Sequence, residues 1–327
     1  MREPHFWTVS DKHTRASAPM TKLLLSPVAM LYRLAGERRI AKAQPFDCGL
    51  PVVCIGNLTL GGAGKTPVTE AVRAHFGAQG IRAASLSRGY RGSLDGAHRV
   101  DSTRHTAAEV GDEPLMLSMS GESWISKDRP EGARAMKADG VELIVMDDGH
   151  QNPTLKKTLS IVVIDATNPF GNGHIFPKGP LRERVADGLA RAQAVILMGD
   201  GPVPAQLSGF PGEILRARLE PLANLPAGRY IAFAGIGRPT RFFDGLQKQP
   251  GVELSDGVPY PDHHVFQPSD LSFLTKLASE RRAQLVTTDK DHVRLPPDMK
   301  DKVMRASVRA RFEDEAALAR LLSRVTA

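Results

Sequence analysis

The chain has 327 residues, 41% apolar and 24% charged, close to the averages for soluble globular proteins; collagen-like, low-complexity and wholly disordered chains are excluded, and about two domains or one large α/β unit are expected. Lys and Arg number 43 against 36 Asp and Glu, a net charge of +7, so an anionic partner is expected: nucleotide, nucleic acid or acidic membrane surface. Aromatics make up only 6% and are not interleaved with Lys/Arg tracts, which argues against a stacking platform for single strands, and no nucleic-acid partner is expected.

The first segment, MREPHFWTVSDKH, has no apolar run ending in a small-residue cleavage site, so no secretory signal is expected. Met20 to Ala43 mixes leucines with Lys22, Arg33, Arg38, Arg39 and Lys42, too interrupted to span a bilayer, which takes about 20 mainly apolar residues. From Pro27 onward Val28, Leu31, Tyr32 and Leu34 recur at three- and four-residue spacing, the pattern of an amphipathic helix with a basic C-terminal end. Such a helix either lies on an anionic membrane or packs its apolar face on the domain. Cys48 and Cys54 give neither a disulfide framework nor a zinc spacing and suit a reducing cytosol.

From Leu50 the pattern is strand, glycine-rich turn, helix: PVVCIGN, LTLGGAGKTP, VTEAVRAHFGAQG. That is the opening of a phosphate-binding βα unit. Further apolar runs at IRAASLS, VELIVMDD, LSIVVIDA and AQAVILMGD have both faces apolar, as strands of a parallel sheet covered by helices do. The Pro- and Gly-rich stretch at 200–212 reads as a linker. Beyond it EILRARLEPL, RYIAFAGIG, GVELSDGVPY, AQLVTTDKDHV and ASVRARF read as strands of a second α/β unit, with helices at 239–247, 268–282 and 313–323. The expected division is a 1–45 segment carrying the amphipathic helix, a 46–205 P-loop domain with a mostly parallel sheet and helices on both faces, and a smaller 206–327 α/β domain.

Gly61-Gly62-Ala63-Gly64-Lys65-Thr66 is the strongest local signal. Glycines let successive N–H groups turn toward a phosphate, the helix N-terminus favours negative charge, the lysine reaches the β/γ-phosphates, and the threonine hydroxyl suits Mg²⁺. Thr59 stands where the general pattern has its first glycine. Asp147 and Asp148 follow an apolar strand, where a parallel sheet presents ligands, and are candidate Mg²⁺ carboxylates; a surface Asp-Gly turn is the plainer reading. Polar clusters at 87–90, 111–114, 177–183, 262–264 and 287–291 lie at strand ends, and beside a P-loop they supply the base and cations that phosphoryl transfer to a hydroxyl requires. Arg88, Lys178, Arg182 and Lys290 are candidate phosphate contacts, and His150 reads as packing or substrate contact. No Asn-Lys-x-Asp motif for guanine is present, and Leu60 replaces the signature lysine of partition-type ATPases.

The runs GNLTLGGAGKTP, SRGY, VGDEP, DDGHQ, PKGPLRE and DHH, in this order, resemble those of tetraacyldisaccharide 4′-kinase, the lipid A 4′-kinase of Gram-negative bacteria. The resemblance implies a kinase that moves the γ-phosphate of ATP to the 4′-hydroxyl of tetraacyldisaccharide 1-phosphate, forming lipid IVA, with ATP and Mg²⁺ as cofactors. It implies a peripheral enzyme on the cytoplasmic face of the inner membrane, meeting a lipid-linked disaccharide and an anionic surface without an obligate protein partner. Residue by residue it implies a nucleotide loop of Thr59, Leu60, Gly61, Gly62, Ala63, Gly64, Lys65 and Thr66. Thr66, Asp147, Asp148 and Glu183 would stand at the metal. Asp112 would be the base, assisted by His263, with His264 as the competing histidine. A P-loop ATPase switch that binds membranes or partners, and a sugar or nucleoside kinase with a soluble acceptor, are the rival readings.

Overall fold

The computed structural model describes residues 4–9 and 15–326; the stretch read for a secretory signal lies partly outside them. The chain runs through α1 (Pro19–Lys42), β1 (Val52–Gly56), α2 (Lys65–Ala78), β2 (Ala83–Ser87), β3 (His98–Val100), α3 (Ala107–Val110), α4 (Asp112–Met119), β4 (Ser123–Ile125), α5 (Arg129–Ala138), β5 (Leu143–Asp147), β6 (Leu159–Asp165), α6 (Val185–Leu189) and β7 (Ala194–Met198). It continues through β8 (Glu213–Pro221), β9 (Gly228–Ala234), α7 (Pro239–Gln247), β10 (Val252–Pro259), α8 (Pro268–Arg281), β11 (Gln284–Thr287), α9 (Asp289–His292), α10 (Pro297–Lys300), β12 (Val303–Arg305), β13 (Val308–Phe312) and α11 (Glu315–Ser323).

Nine strands form one sheet in the order β13-β8-β7-β6-β1-β5-β2-β4-β3. Its inner pairs are parallel, and only the outermost strands β13 and β3 run antiparallel to their neighbours. Every residue of β1, β5, β6 and β7 is buried, because helices cover both faces and β-branched side chains pack on each. On one face α2 contributes Val68, Val72 and Phe76, four residues apart, beside Leu318, Leu321 and Leu322 of α11. On the other, Ala133 and Met136 of α5 pack over β1, β5 and β2. Arg73 of α2 is buried with its guanidinium donating to Ser85 Oγ, the Glu122 and Leu117 carbonyls and Ser120 Oγ at 2.7–3.2 Å, so the buried group is hydrogen-bonded and α2 is keyed to β2 and α4. Phe76 has no exposed surface; Phe76→Ala is expected to cost about 3–5 kcal/mol in urea denaturation, and a loss under about 1 kcal/mol would deny α2 its anchoring role.

A second, all-parallel sheet has the order β10-β9-β11-β12, with α8 on one face through Leu271, Leu274 and Ala278 and α7 on the other through Leu246. The division expected at 205/206 differs from this arrangement. β8 pairs with β7 from Ala194↔Glu213 to Met198↔Ala217, and β13 pairs with β8, so EILRARLEPL and ASVRARF complete the large sheet. The 200–212 stretch is the crossover that two parallel neighbours need, rather than a linker.

α1 is longer than expected, starting at Pro19 and running through Pro27. Its apolar side chains Met20, Leu23, Leu24, Val28, Leu31 and Leu34 are exposed along one stripe. The face turned to the protein carries Lys22, Ser26, Ala29 and Arg33, the first and third of them buried. Ser26 Oγ accepts from Lys178 Nζ at 3.1 Å, and Arg39 donates to the Gln151 carbonyl at 3.1 Å. The apolar face therefore points away from the domain, opposite to a helix that docks by hydrophobic burial.

Candidate active site

Because β1, β5 and β6 are parallel neighbours, their C-terminal ends open on one edge of the sheet, where such sheets hold ligands. β1 leads through Asn57 into the glycine-rich loop. The Asn57 side-chain amide donates to the Thr59 and Gly61 carbonyls at 2.8 and 3.4 Å, and the Leu60 N–H donates to the Pro180 carbonyl at 2.7 Å. Gly64 enters α2 at φ 86°, with Met198 only 3.0 Å from where a Cβ would stand, so glycine is required there. Thr59 has no left-handed backbone, which is why threonine serves where the general pattern has glycine; its carbonyl accepts from Asn57 and from Arg182 Nε. Lys65 and Thr66 open α2, with their N–H groups at its positive end.

Asp147 ends β5 with 1% of its surface exposed, and its Oδ1 accepts from Thr69 Oγ1 at 3.1 Å. Burial pushes its carboxyl up, the Glu113 charge adds to that, and Lys65 opposes it. Asp148, at φ 51°, takes both its oxygens to Arg182 Nη1 at 3.0 Å, and Lys65 Nζ lies 3.5 Å from Oδ1. Burial would raise that carboxyl, but the two cations outweigh it and hold it well below the ordinary carboxylate range. Glu183 accepts from Gln151 Nε2 at 2.9 Å and from Arg191 at 2.6 Å. Among the described residues no three His, Cys, Asp or Glu side chains gather as a metal cage. The donor set still fits Mg²⁺ of the kind held by one or two carboxylates and substrate phosphates: Asp147 is a buried carboxylate whose only hydrogen-bond partner among the described residues is one hydroxyl, with Thr66 on the adjoining helix.

The second cluster joins the two sheets. Gly111 sits at φ 89°, and a Cβ there would meet the Tyr90 carbonyl at 2.6 Å; glycine lets Asp112 start α4 against the SRGY turn. Asp112 Oδ2 lies 2.8 Å from His263 Nδ1 and 3.3 Å from Arg294 Nε. Burial would raise the Asp112 carboxyl, yet the His263 hydrogen bond and the Arg294 charge hold it below its ordinary value. His263 follows β10 at φ 58°; its N–H donates to the Gly235 carbonyl at 3.0 Å, and its own carbonyl accepts from Arg91 at 3.2 Å. Such a backbone persists only where the surroundings over-determine it. His264 is turned away, bonded to Asp270 at 2.8 Å and stacked on Tyr260 at 4.7 Å. The structure thus brings Asp112 together with His263, and places His264 in the packing of the small sheet.

One cleft of about 1690 Å³ is bounded by the glycine-rich loop, the acidic pair, Glu113, His263, Lys290 and the Tyr32–Ala41 stretch of α1, and Asp112 lies behind His263, in contact with its ring. Of the candidate phosphate contacts, Lys178, Arg182 and Lys290 have side-chain partners, and Arg88 stays exposed in the cleft. His150 donates its Nε2–H to the Gly188 carbonyl at 2.9 Å, and burial pulls its imidazole down, so it is a neutral packing group. Sequence reading passed over two buried residues around the acidic pair. Arg129 is 3% exposed, its guanidinium pulled down by burial to about 10 and supported by the Asp147 and Asp148 charges. Thr69, one turn beyond Thr66, lies on the face of α2 turned toward β5, and helical spacing from the threonine of the loop is the signal that points to it.

The family model described as tetraacyldisaccharide-1-P 4'-kinase matches residues 21–327. A tetraacyldisaccharide 4'-kinase of Hyphomonas neptunium is 57% identical over 324 residues, covering 99% of this chain and 97% of that one. One of Maricaulis maris is 48% identical, covering 98% and 96%. Among solved structures, LpxK from Aquifex aeolicus in complex with ATP superposes with a TM-score of 0.73 at 23% identity, covering 93% of this chain and 99% of that one, which establishes a shared fold.

Proposed function

The chain belongs to the tetraacyldisaccharide-1-P 4'-kinase family, and from that membership we propose how its own residues carry out the transfer at a membrane surface. The enzyme is an ATP-dependent kinase of lipid A biosynthesis that moves the γ-phosphate of ATP to the 4′-hydroxyl of tetraacyldisaccharide 1-phosphate. The observation that carries the residue-level reading is the 2.8 Å contact between Asp112 and His263, with His263 lining the same cleft as Lys65.

The loop Thr59–Thr66 cradles the triphosphate, with its N–H groups and the start of α2 facing negative charge and Lys65 on the β/γ-phosphates. Thr66 and Asp147 would hold Mg²⁺, with Asp148 behind them setting the position of Lys65 through their ion pair. When bound, Mg²⁺ neutralises charge on the phosphate oxygens. Glu183, tied to Gln151 and Arg191, braces the loop's surroundings and joins the metal only by exchanging a partner. Asp112 is ionised at neutral pH and takes the 4′-hydroxyl proton through Oδ1, while His263 and Arg294 fix Oδ2. The large unit supplies the nucleotide loop and the base, and the small unit supplies His263.

The exposed apolar stripe of α1, ending in Arg38, Arg39 and Lys42, is the interfacial element. No helix among the described residues is long and apolar enough to cross a membrane. α1 lies in the plane of an anionic leaflet, the cytoplasmic face of the inner membrane, its stripe in the acyl region and its basic end among headgroups. Replacing both Leu24 and Leu31 by glutamate is expected to abolish co-sedimentation with anionic vesicles while leaving the thermal transition in place. Retained vesicle binding would sink this reading.

The transfer itself is tested with Mg-ATP labelled at the γ-phosphate and tetraacyldisaccharide 1-phosphate in detergent. Label in the lipid is expected; hydrolysis without lipid label would favour the ATPase switch instead.

A further inference from the structure

The TDKD run after β11 singled out in the sequence is placed beside the base and not on the glycine-rich loop. Lys290 Nζ lies 3.1 Å from His263 Nε2, 3.5 Å from Glu113 Oε1 and 3.7 Å from Asp262 Oδ1. We propose that Lys290 is a positioning residue that holds His263 as the neutral Nδ1–H tautomer, so that the imidazole orients Asp112 and does not itself take the substrate proton.

The argument is one of donors and acceptors. An ionised Asp112 only accepts, so His263 Nδ1 must carry the hydrogen in their 2.8 Å contact. An ammonium only donates, so Nε2 must offer its lone pair to Lys290. With one nitrogen protonated and the other capped by a cation, the ring has no free lone pair for a further proton. The remaining charged groups around it are accounted for. Asp262 Oδ2 is 3.9 Å from Nε2 and, with Glu113, flanks the ammonium; Arg91 holds the His263 carbonyl, and Arg294 bears on Asp112. Tyr90 meets the ring edge-on at 6.1 Å. Without the ammonium, Nε2 would face Asp262 with no cation on its lone pair, leaving that nitrogen open to a second proton. Asp112 would then face an imidazolium and lose strength as a base. Lys290 thus works through His263, on Asp112.

This inference rests on the proposed role of Asp112, and its test separates the two. Full-length protein labelled with ¹⁵N-histidine is examined from about pH 5.5 to 8, with His263→Gln assigning the resonance, and lipid phosphorylation is followed for Lys290→Met and Lys290→Arg. Expected in the unsubstituted protein are a protonated Nδ1 and an unprotonated Nε2. In Lys290→Met, Nε2 should be found protonated and kcat should fall about 10- to 100-fold, with KM for ATP little altered; Lys290→Arg should restore most of the turnover and the unprotonated Nε2. A protonated Nε2 in the unsubstituted protein would overturn the proposal, as would a raised KM for ATP at unchanged kcat in Lys290→Met, which would make Lys290 a phosphate contact. Should Lys290→Met fail to fold, the unsubstituted spectrum and Lys290→Arg still decide. Absent transfer by the unsubstituted enzyme would count against the kinase chemistry, while its spectrum would still report the tautomer.

Discussion

Asp112→Ala is expected to lower kcat by about 10²–10⁴-fold, the usual contribution of a positioned general base, with ATP binding little changed, because Asp112 stands on α4 and not on the loop from Asn57 to Thr66. Asp112→Asn is the sharper variant: its amide oxygen can still accept from His263 Nδ1, but it cannot take a proton. Steady-state transfer with lipid and ATP varied in turn reads both. If the asparagine variant keeps more than about a tenth of the activity, the carboxylate is an orienting group and the base lies elsewhere. A pH dependence accompanies this. The folded carboxyl is held below its ordinary value of 3.8, so its contribution to stability is complete above that value and is lost as pH falls through the lower folded value. Urea denaturation should therefore find Asp112→Asn less stable at pH 7, with the gap closing in acid.

Lys65→Met should cost about 10²–10³-fold in kcat, as loss of one fixed positive group on developing phosphate charge does, together with weaker ATP binding. The accompanying damage to the acidic pair is small, because Asp148 keeps both oxygens on Arg182 at 3.0 Å. Nucleotide titration by calorimetry beside single-turnover transfer separates the two effects. Unchanged transfer with intact binding would mean that Lys65 serves Asp148 alone.

The nucleotide half of the site was legible because each of its parts is local. A β-branched strand, glycines that free the backbone and a lysine and threonine opening a helix lie within 52–66 of the sequence, and no distant contact is needed to see what they bind. The Asp112–His263 pairing was not legible from residue chemistry, since 151 positions separate the two; the family resemblance alone picked His263 over its neighbour. The structure gives the reason, with His264 engaged by Asp270 and Tyr260. The surroundings of the other carboxylates were hidden for a similar cause: Arg182 reaches Asp148 across 34 positions and Arg191 folds back eight residues to Glu183, contacts that residue types alone do not specify.

Sheet membership was misread for another reason. Amphipathic strands such as EILRARLEPL announce themselves as strands but carry no mark of their partner, and β13 meets β8 only after the small sheet has been completed. The three-residue strands β3 and β4, at one side of the large sheet, are too short for periodicity to register. In α1 the spacing of leucines is helical, yet periodicity defines a stripe without saying what lies against it; in the structure Lys22 and Ser26 face inward and the stripe does not pack on the domain.

The route of the chain through the two sheets has a mechanical consequence. It leaves the large sheet at Pro221 and re-enters it at Val308, so the small sheet hangs from adjacent strands of one edge by both its ends. His263, Lys290 and Arg294 all lie in the span between these two connections, so any displacement of the small unit against the large one would act on all three contacts around Asp112 together.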